Sequence, residues 1–329
     1  MKILIVRFSS IGDIVLTSPV IRCLKEQVNN VEIHFLSKKQ FLPVLEANPF
    51  LSRIYTIEKE ITEVVDSLKN EKYDLIIDLH RNIRSLRLKK ALAVPSKSFN
   101  KLNLEKWMLV NLGINKLPKI HIVDRYLKTC ESLGVKNDLK GLDYFIPSGR
   151  EAAPGLLPES HQKKYIAIAI GAQHATKRLP DRQLAALVNK IHFPIVLLGG
   201  KEDVASGERI AAIDPGKIVN GCGKFDLHGS ALILKMAEVV ITHDTGLMHI
   251  AAAFKKKIIS IWGNTVPEFG MYPYLPGQQT ESIMFENKAL RCRPCSKIGH
   301  QECPKGHFKC MNELDMEKVA NEANRLAEH

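Results

Sequence analysis

Three short stretches of this 329-residue chain carry side chains that could do chemistry. In "RFSSIGDIVLTSP" one carboxylate, Asp13, ends a small-residue loop and opens a helical pattern. The position suits a helix cap, or a general base that takes the proton from a hydroxyl. In "THDTGLMHIAAAF", Asp244 ends an apolar run, Thr245 is a good N-cap and Gly246 permits close approach, while His249 lies on the face of Thr245 one turn later. Free amides at such a helix start suit a diphosphate. The plainer alternative is a cap with a histidine packed beneath it. In "GAQHATKRLP", Lys177 offers a point charge for phosphate and Thr176 a hydroxyl donor. Glu202, in "GGKED", is placed to accept ribose hydroxyls or, equally, to answer a helix dipole.

A fourth cluster is "CRPCSKIGHQECPKGHFKC". Cys292 and Cys295 have the spacing of a zinc-binding pair, Cys303 and Cys310 follow, and His300 and His307 add ligand options. A packed thiol-rich loop without metal is the alternative. Seven cysteines, an odd number, with no secretion signal argue against a disulfide framework. "DTG" also occurs in aspartic proteases, but those need a second paired carboxylate, and this chain has one copy in an α/β setting. No GxGxxG follows the first strand of either half and no GxxxxGK[ST] is present, which counts against a dinucleotide-dependent dehydrogenase and a P-loop NTPase.

The elements around these residues follow a doubled pattern. "KILIVRF", "VEIHFLS", "RIYTIE" and "YDLIIDLH" read as strands, with amphipathic helices at "IVLTSPVIRCLKEQ" and "EITEVVDSLKN" between them. Such alternation predicts a parallel, doubly wound sheet. In the second half "YIAIAIG", "PIVLLGG", "KIVNGCG", "EVVITHD" and "IISIWGN" are strands, separated by four helical patterns. Periodicity fades over residues 147–163, which predicts a linker there. Each strand of the second half ends in glycine or a polar cluster, where a parallel sheet binds ligands.

Two domains agree with the length, and 45% apolar with 25% charged residues describes a globular chain. No apolar stretch approaches the roughly 20 residues of a membrane span, so a cytoplasmic protein is expected. The net charge of +12 is uneven: residues 1–150 hold 25 Lys and Arg against 16 Asp and Glu. That half should attract an anionic partner. Its densest run, "HRNIRSLRLKK", has few aromatics to stack on bases, which makes nucleic acid the weaker reading and a solvated basic helix face an even one.

Taken together, "MKILIVRFSSIGDIVLTSPVIRCLK", "DLHRNIRS", "GAQHATKRLP", "THDTGLMHIAAAF", "WGNTVPEFGMYPY" and "CRPC" resemble the ADP-heptose:lipopolysaccharide heptosyltransferase family, in the right order along nearly the whole chain. The resemblance implies an α/β glycosyltransferase-B fold of two Rossmann-like domains facing across a cleft. Residues 1–150 would bind the acceptor and 163–310 the nucleotide sugar, while 311–329 would form a closing helix that packs back on the first domain. It further implies inverting transfer of a heptose from an ADP-sugar to an anionic glycolipid, the lipopolysaccharide inner core, at the inner face of the cytoplasmic membrane. Asp13 would be the general base. Thr176, Lys177, Glu202, Phe225, Asp244, Thr245, Gly246 and His249 would hold the donor, with Phe225 on the adenine side, and His80, Arg81 and Arg84 would meet the acceptor. No cofactor or metal is required by this scheme, and a structural zinc on Cys292, Cys295, Cys303 and Cys310 would be additional to it. Two other functions remain open on the residues: a nucleotide-sugar epimerase of similar build, and a zinc-stapled nucleic-acid-binding protein, although the latter leaves "HDTG" and "FSSIGD" without a role.

Overall fold

The structure, a computed structural model, describes residues 1–150, 155, 157–277 and 281–328. The middle of the expected linker, residues 151–154 and 156, lies outside the described residues. The chain forms two compact units, Met1–Lys101 with Ile120–Ser148, and Leu102–Lys119 with Gly149–His329.

In the first unit β1 (Lys2–Val6), β2 (Glu32–Lys38), β3 (Arg53–Ile57), β4 (Leu75–Asp78) and β5 (Ser96–Ser98) form one parallel sheet in the order β3-β2-β1-β4-β5. Ile3, Leu4, Ile5 and Val6 are fully buried because β1 has a strand on each side and its apolar run serves both covered faces. β5, three exposed residues at the sheet edge, lacks any apolar alternation and is invisible to a pattern reading. The helices in chain order are α1 (Ile11–Val15), α2 (Ser18–Gln27), α3 (Val65–Asn70), α4 (Ile83–Leu92), α5 (Asn103–Leu112) and α6 (Ile122–Leu127). α2 begins with Pro19 in its first turn, where the missing N–H costs nothing, and buries Val20, Ile21 and Leu24. It also buries Arg22, whose guanidinium pairs with Asp138 at 2.7 Å and with Asp143 and donates to the Gly141 carbonyl at 2.8 Å. That buried cation ties residues 138–143 to the sheet.

The second unit repeats the scheme. β6 (Ile166–Ala169), β7 (Ile195–Leu198), β8 (Ile218–Asn220), β9 (Val239–His243), β10 (Lys257–Trp262) and β11 (Ser282–Glu286) run parallel in the order β11-β10-β9-β6-β7-β8. Around them lie α7 (Asp181–Lys190), α8 (Val204–Ala211), α9 (Leu227–Met236), α10 (Gly246–Ala253), α11 (Lys309–Asn312) and α12 (Met316–Glu328). All five strands expected here form, and β11 is added.

One segment departs from expectation. Residues 102–119, which carry α5, belong to the second unit although they precede the linker. The closing helix α12 belongs to the second unit: Met316, Val319, Ala320, Ala323 and Leu326 share one buried cluster with Leu184, Leu187 and Val188 of α7. Asn324 fixes their register, accepting from His192 N and donating to the Lys190 carbonyl at 3.0 Å each, and so satisfies a carbonyl that α7 leaves open at its end. Among the described residues no helix is long and apolar enough to cross a membrane.

In each sheet the order reverses between the first and fourth strands of the unit, at β1/β4 and at β6/β9. Loops leaving such neighbours run in opposite directions and open a crevice at their carboxyl ends. Leu187→Ala, at the fully buried α7–α12 contact, should cost about 2–5 kcal/mol, read as a lower urea midpoint at unchanged slope.

Candidate active site

The first crevice is built at the ends of β1 and β4. Asp13 is the third residue of α1, and its Oδ2 accepts from the Ser10 hydroxyl at 2.8 Å and the Ser10 amide at 3.1 Å. The carboxylate is thus a cap. It is also an ion-pair partner, with Oδ1 2.6 Å from Arg7 Nη2 and its side chain 19% exposed. Arg7 is itself buried, donating to the carbonyls of Ser9 and Leu79. Burial alone would raise the Asp13 carboxyl, but the Arg7 charge and the Ser10 donors outweigh it and hold the group below its ordinary value. A carboxylate in this crevice is therefore ionised at neutral pH.

β4 supplies the opposite wall. Asp78, with no exposure, accepts from His80 N at 3.0 Å, Arg81 N at 2.7 Å and Ser85 Oγ at 2.8 Å, and pairs with Lys89 at 3.0 Å. It shapes the loop that carries His80 and Arg81 and leads into α4, where Arg84 lies. The His80 ring stands edge-on to Phe8 at 5.2 Å, and the Arg84 guanidinium lies over the Phe8 ring at 5.4 Å. Arg81 donates to the Phe99 carbonyl at 3.2 Å. Burial, then the positive charges of Arg7 and Lys101, push His80 down to about 4, so its ring is neutral at pH 7, and its Nδ1 is buried without a partner among the described residues. The rest of the basic run, Arg87 and Lys90, lies exposed on α4, as the plainer reading of a charged helix face expected.

The second crevice lies at β6 and β9. Lys177 Nζ sits 2.7 Å from Asp244 Oδ2, with both side chains mostly buried, and Thr265 Oγ1 donates to the same oxygen at 3.0 Å. Thr245 caps α10 by position, yet its hydroxyl makes no cap bond and instead lies 3.4 Å from Thr242 Oγ1. Gly246 opens the helix and His249 is buried one turn on. Thr176 is placed differently from the expectation. Its hydroxyl is closed on residue 300, donating to the His300 carbonyl at 3.0 Å and receiving the His300 amide at 2.8 Å, so it fastens the cysteine-rich loop. Glu202 is exposed after β7, beside Asp203, which is buried, accepts from Gly200 N at 2.8 Å and pairs with Arg178 at 3.0 Å. Phe225 follows β8. Its ring lies so close over Gly221 that a Cβ there would stand 2.7 Å from the ring and 2.7 Å from the Leu197 carbonyl.

Sequence reasoning missed Arg7, Lys101, Thr265 and Asn264. Asn264 is 1% exposed with both amide atoms unpartnered among the described residues, one position before the threonine that braces Asp244. The cysteine loop is fastened here as well. Arg293, next to Cys292, donates to the carbonyls of Trp262, Gly263 and Thr265 and pairs with Glu286 at 3.0 Å. The four thiols are free, and Cys292 lies 3.8 Å from His307 Nε2. Among the described residues the one threesome of metal-type ligands is Glu32, His34 and Glu71. Lys2 and Arg53 pair with Glu71 at 2.7 and 2.6 Å, Lys2 also pairs with Glu32 at 3.5 Å, and bonds from Lys2 and Tyr55 pull Glu71 down to about 2, so the trio is an ion-pair network at the opposite ends of the strands.

Residues 61–304 match the description of glycosyltransferase family 9 (heptosyltransferase). The chain belongs to glycosyltransferase family 9. It is 26% identical over 334 residues to lipooligosaccharide heptosyltransferase 2 of Campylobacter jejuni, covering 99% of this chain and 98% of that one. Its fold matches a family 9 glycosyltransferase of Veillonella parvula, with TM-score 0.78, 22% identity, and 99% and 97% of the two chains covered. It also matches the Escherichia coli heptosyltransferase WaaC with ADP, with TM-score 0.70, 18% identity, and 99% and 100% covered. This family 9 enzyme is thus a glycosyltransferase with the paired parallel sheets of the glycosyltransferase-B fold. The family match begins downstream of Asp13, while the Campylobacter likeness spans almost the full length.

Because Asp13 is held low, its ionised form stabilises this family 9 enzyme above the ordinary carboxylate range, and that contribution is lost as pH falls through the lowered value. Arg7→Leu should move the Asp13 titration upward, followed by carbon-13 NMR of the carboxyl. An unmoved titration would assign the effect to Ser10.

Proposed function

We propose that the enzyme transfers a heptose from an ADP-sugar to a hydroxyl of an anionic, lipopolysaccharide-type acceptor, with Asp13 as the general base. The observation that carries this reading is the Asp13 carboxylate, kept ionised by Arg7 and Ser10 at the β1/β4 switch point instead of being neutralised by burial. The transfer is a single displacement. The acceptor oxygen bonds to the anomeric carbon, the bond from that carbon to the diphosphate oxygen breaks, and ADP leaves with the electron pair. The acceptor proton passes to Asp13 as the new bond forms.

The second unit holds the donor in this reading. Charge gathers on the departing diphosphate, and Lys177 with the amides opening α10 answers it. In the free enzyme Asp244 and Thr265 hold Lys177 in position through a 2.7 Å ion pair, and Asp244 then meets hydroxyls of the sugar. His249 stands behind the diphosphate, Glu202 takes the ribose and Phe225 covers the adenine. Thr176 acts at one remove, by fixing the loop from which Lys177 projects. On the acceptor side Arg81 and Arg84 supply positive charge for an anionic sugar core, and His80 supplies a neutral ring. Support for heptose and for ADP comes from the names of the relatives and from the ADP held by the Escherichia coli neighbour.

Asp13→Asn keeps the shape and the cap and removes the base. Transfer should fall by roughly 10²–10⁴-fold while ADP affinity, measured by calorimetry, stays within error. Full transfer by this variant would leave Asp13 a helix cap and nothing more. Lys177→Ala should weaken ADP binding about tenfold to a hundredfold, the range expected for one charge-assisted hydrogen bond. Unchanged ADP affinity would move the phosphate contact elsewhere in the second unit.

A further inference from the structure

Helix α5 is ten residues long and buries none of them. Its composition is not that of a solvated helix. Leu104 is 67% exposed, Trp107 47% and Leu112 55%, and Ile114 just beyond the end is 44% exposed. At 100° per residue Trp107, Leu104, Met108 and Leu112 fall within one sector about 140° wide. The opposite side faces its own unit, where Lys106 lies over the Phe269 ring at 5.6 Å. Gly113, at φ +68°, ends the helix in the left-handed conformation that glycine adopts without strain, and Ile114 N then reaches back to the Met108 carbonyl at 3.2 Å. This turn keeps Ile114 at the apolar end. Residues 102–119 hold three lysines against a single acid, Glu105, and Lys116 and Lys119 are exposed.

We propose that α5 with residues 113–119 is the element by which the enzyme docks on an anionic lipid bilayer. Leu104, Trp107, Met108 and Leu112 enter the boundary between headgroups and acyl chains, and Lys116 and Lys119 meet the lipid phosphates. A short helix with tryptophan and leucine on one side and lysine at its margin has the build of an in-plane interfacial helix. The indole ring favours the same depth, being apolar in body with a polar N–H. A second copy of this chain is the poorer occupant. One ten-residue face is small beside the roughly 800 Å² per partner of a stable complex, and a two-fold pairing of it would bring two sets of these lysines together. The proposal rests on the acceptor being lipid-anchored, and it adds where the chain meets the lipid.

The test uses the full-length protein and vesicles of phosphatidylglycerol with phosphatidylethanolamine, against vesicles of phosphatidylcholine alone. Of the two tryptophans Trp262 is fully buried, so a fluorescence change reports Trp107. With the anionic vesicles the emission should shift to the blue and resist acrylamide quenching, and about 0.5 M salt should weaken both effects. The double variant Leu104→Ser, Leu112→Ser alters exposed positions only. It should lower vesicle cosedimentation about tenfold or more, with the ADP-induced thermal shift unchanged. Wild-type protein that ignores anionic vesicles overturns the proposal. So does a double variant that binds them as the wild type does, or a Trp107 shift that follows self-association in sedimentation velocity without lipid. Transfer to a delipidated, soluble acceptor separates the two readings. If it proceeds while vesicle binding fails, only the docking surface is lost; if it fails while docking holds, the proposed reaction is lost.

Discussion

Parallel strands put all their carboxyl ends on one edge of a sheet, and where the strand order reverses, the loops leaving two neighbours must part. The candidate site residues of both units depend on this constraint. β1 and β4 flank one parting, and from it come Arg7, Asp13, Asp78 and His80. β6 and β9 flank the other, with Lys177 after the first and Asp244 after the second. β6 and β7 are wholly apolar and offer no polar side chain to a ligand. Chemistry is confined to the few residues between the last buried strand position and the first turn of the next helix.

Each crevice sets a carboxylate against a cation and a hydroxyl. Asp13, removed from most of the solvent, would take up a proton but for Arg7 and Ser10, which hold it ionised. Asp244 is paired with Lys177 and accepts from Thr265. The pairs differ in what they permit. Arg7 is buried and spends its other nitrogens on backbone carbonyls, so its pairing with Asp13 is part of the framework. Lys177 is a single flexible ammonium whose other bond is a long one to the Asp244 carbonyl, at 3.3 Å, so its pairing is held by fewer bonds than that of Arg7.

The loops of the second unit are braced from far along the chain. Thr176 closes on His300, and Arg293 gathers the carbonyls of Trp262, Gly263 and Thr265. The cysteine-rich segment therefore acts through its backbone and one arginine on the loops that carry Lys177 and Thr265. Helix α5 also draws its meaning from its setting, since an apolar helix without a buried residue is stable only if its inner side is held, here by contacts such as Lys106 on Phe269.

Most of the fold was legible in the sequence. Runs such as "KILIV", "YIAIAI" and "EVVITH" declare buried parallel strands, because a strand covered on both faces has no polar alternation to keep. Asp13, Lys177 and Asp244 could be singled out because each stands where such a run stops. The polar, exposed β5 left no such trace, and neither did the side of α5 that faces the protein. Tertiary structure alone decided that Asp13 is paired with Arg7, that Thr176 is spent on His300 across 124 positions, and that α12 completes the core of its own unit. The physical reason is range. Periodicity records whether a residue is buried, and that is written locally; which charge meets which is fixed by strand order and loop closure, which bring together residues that no local pattern connects.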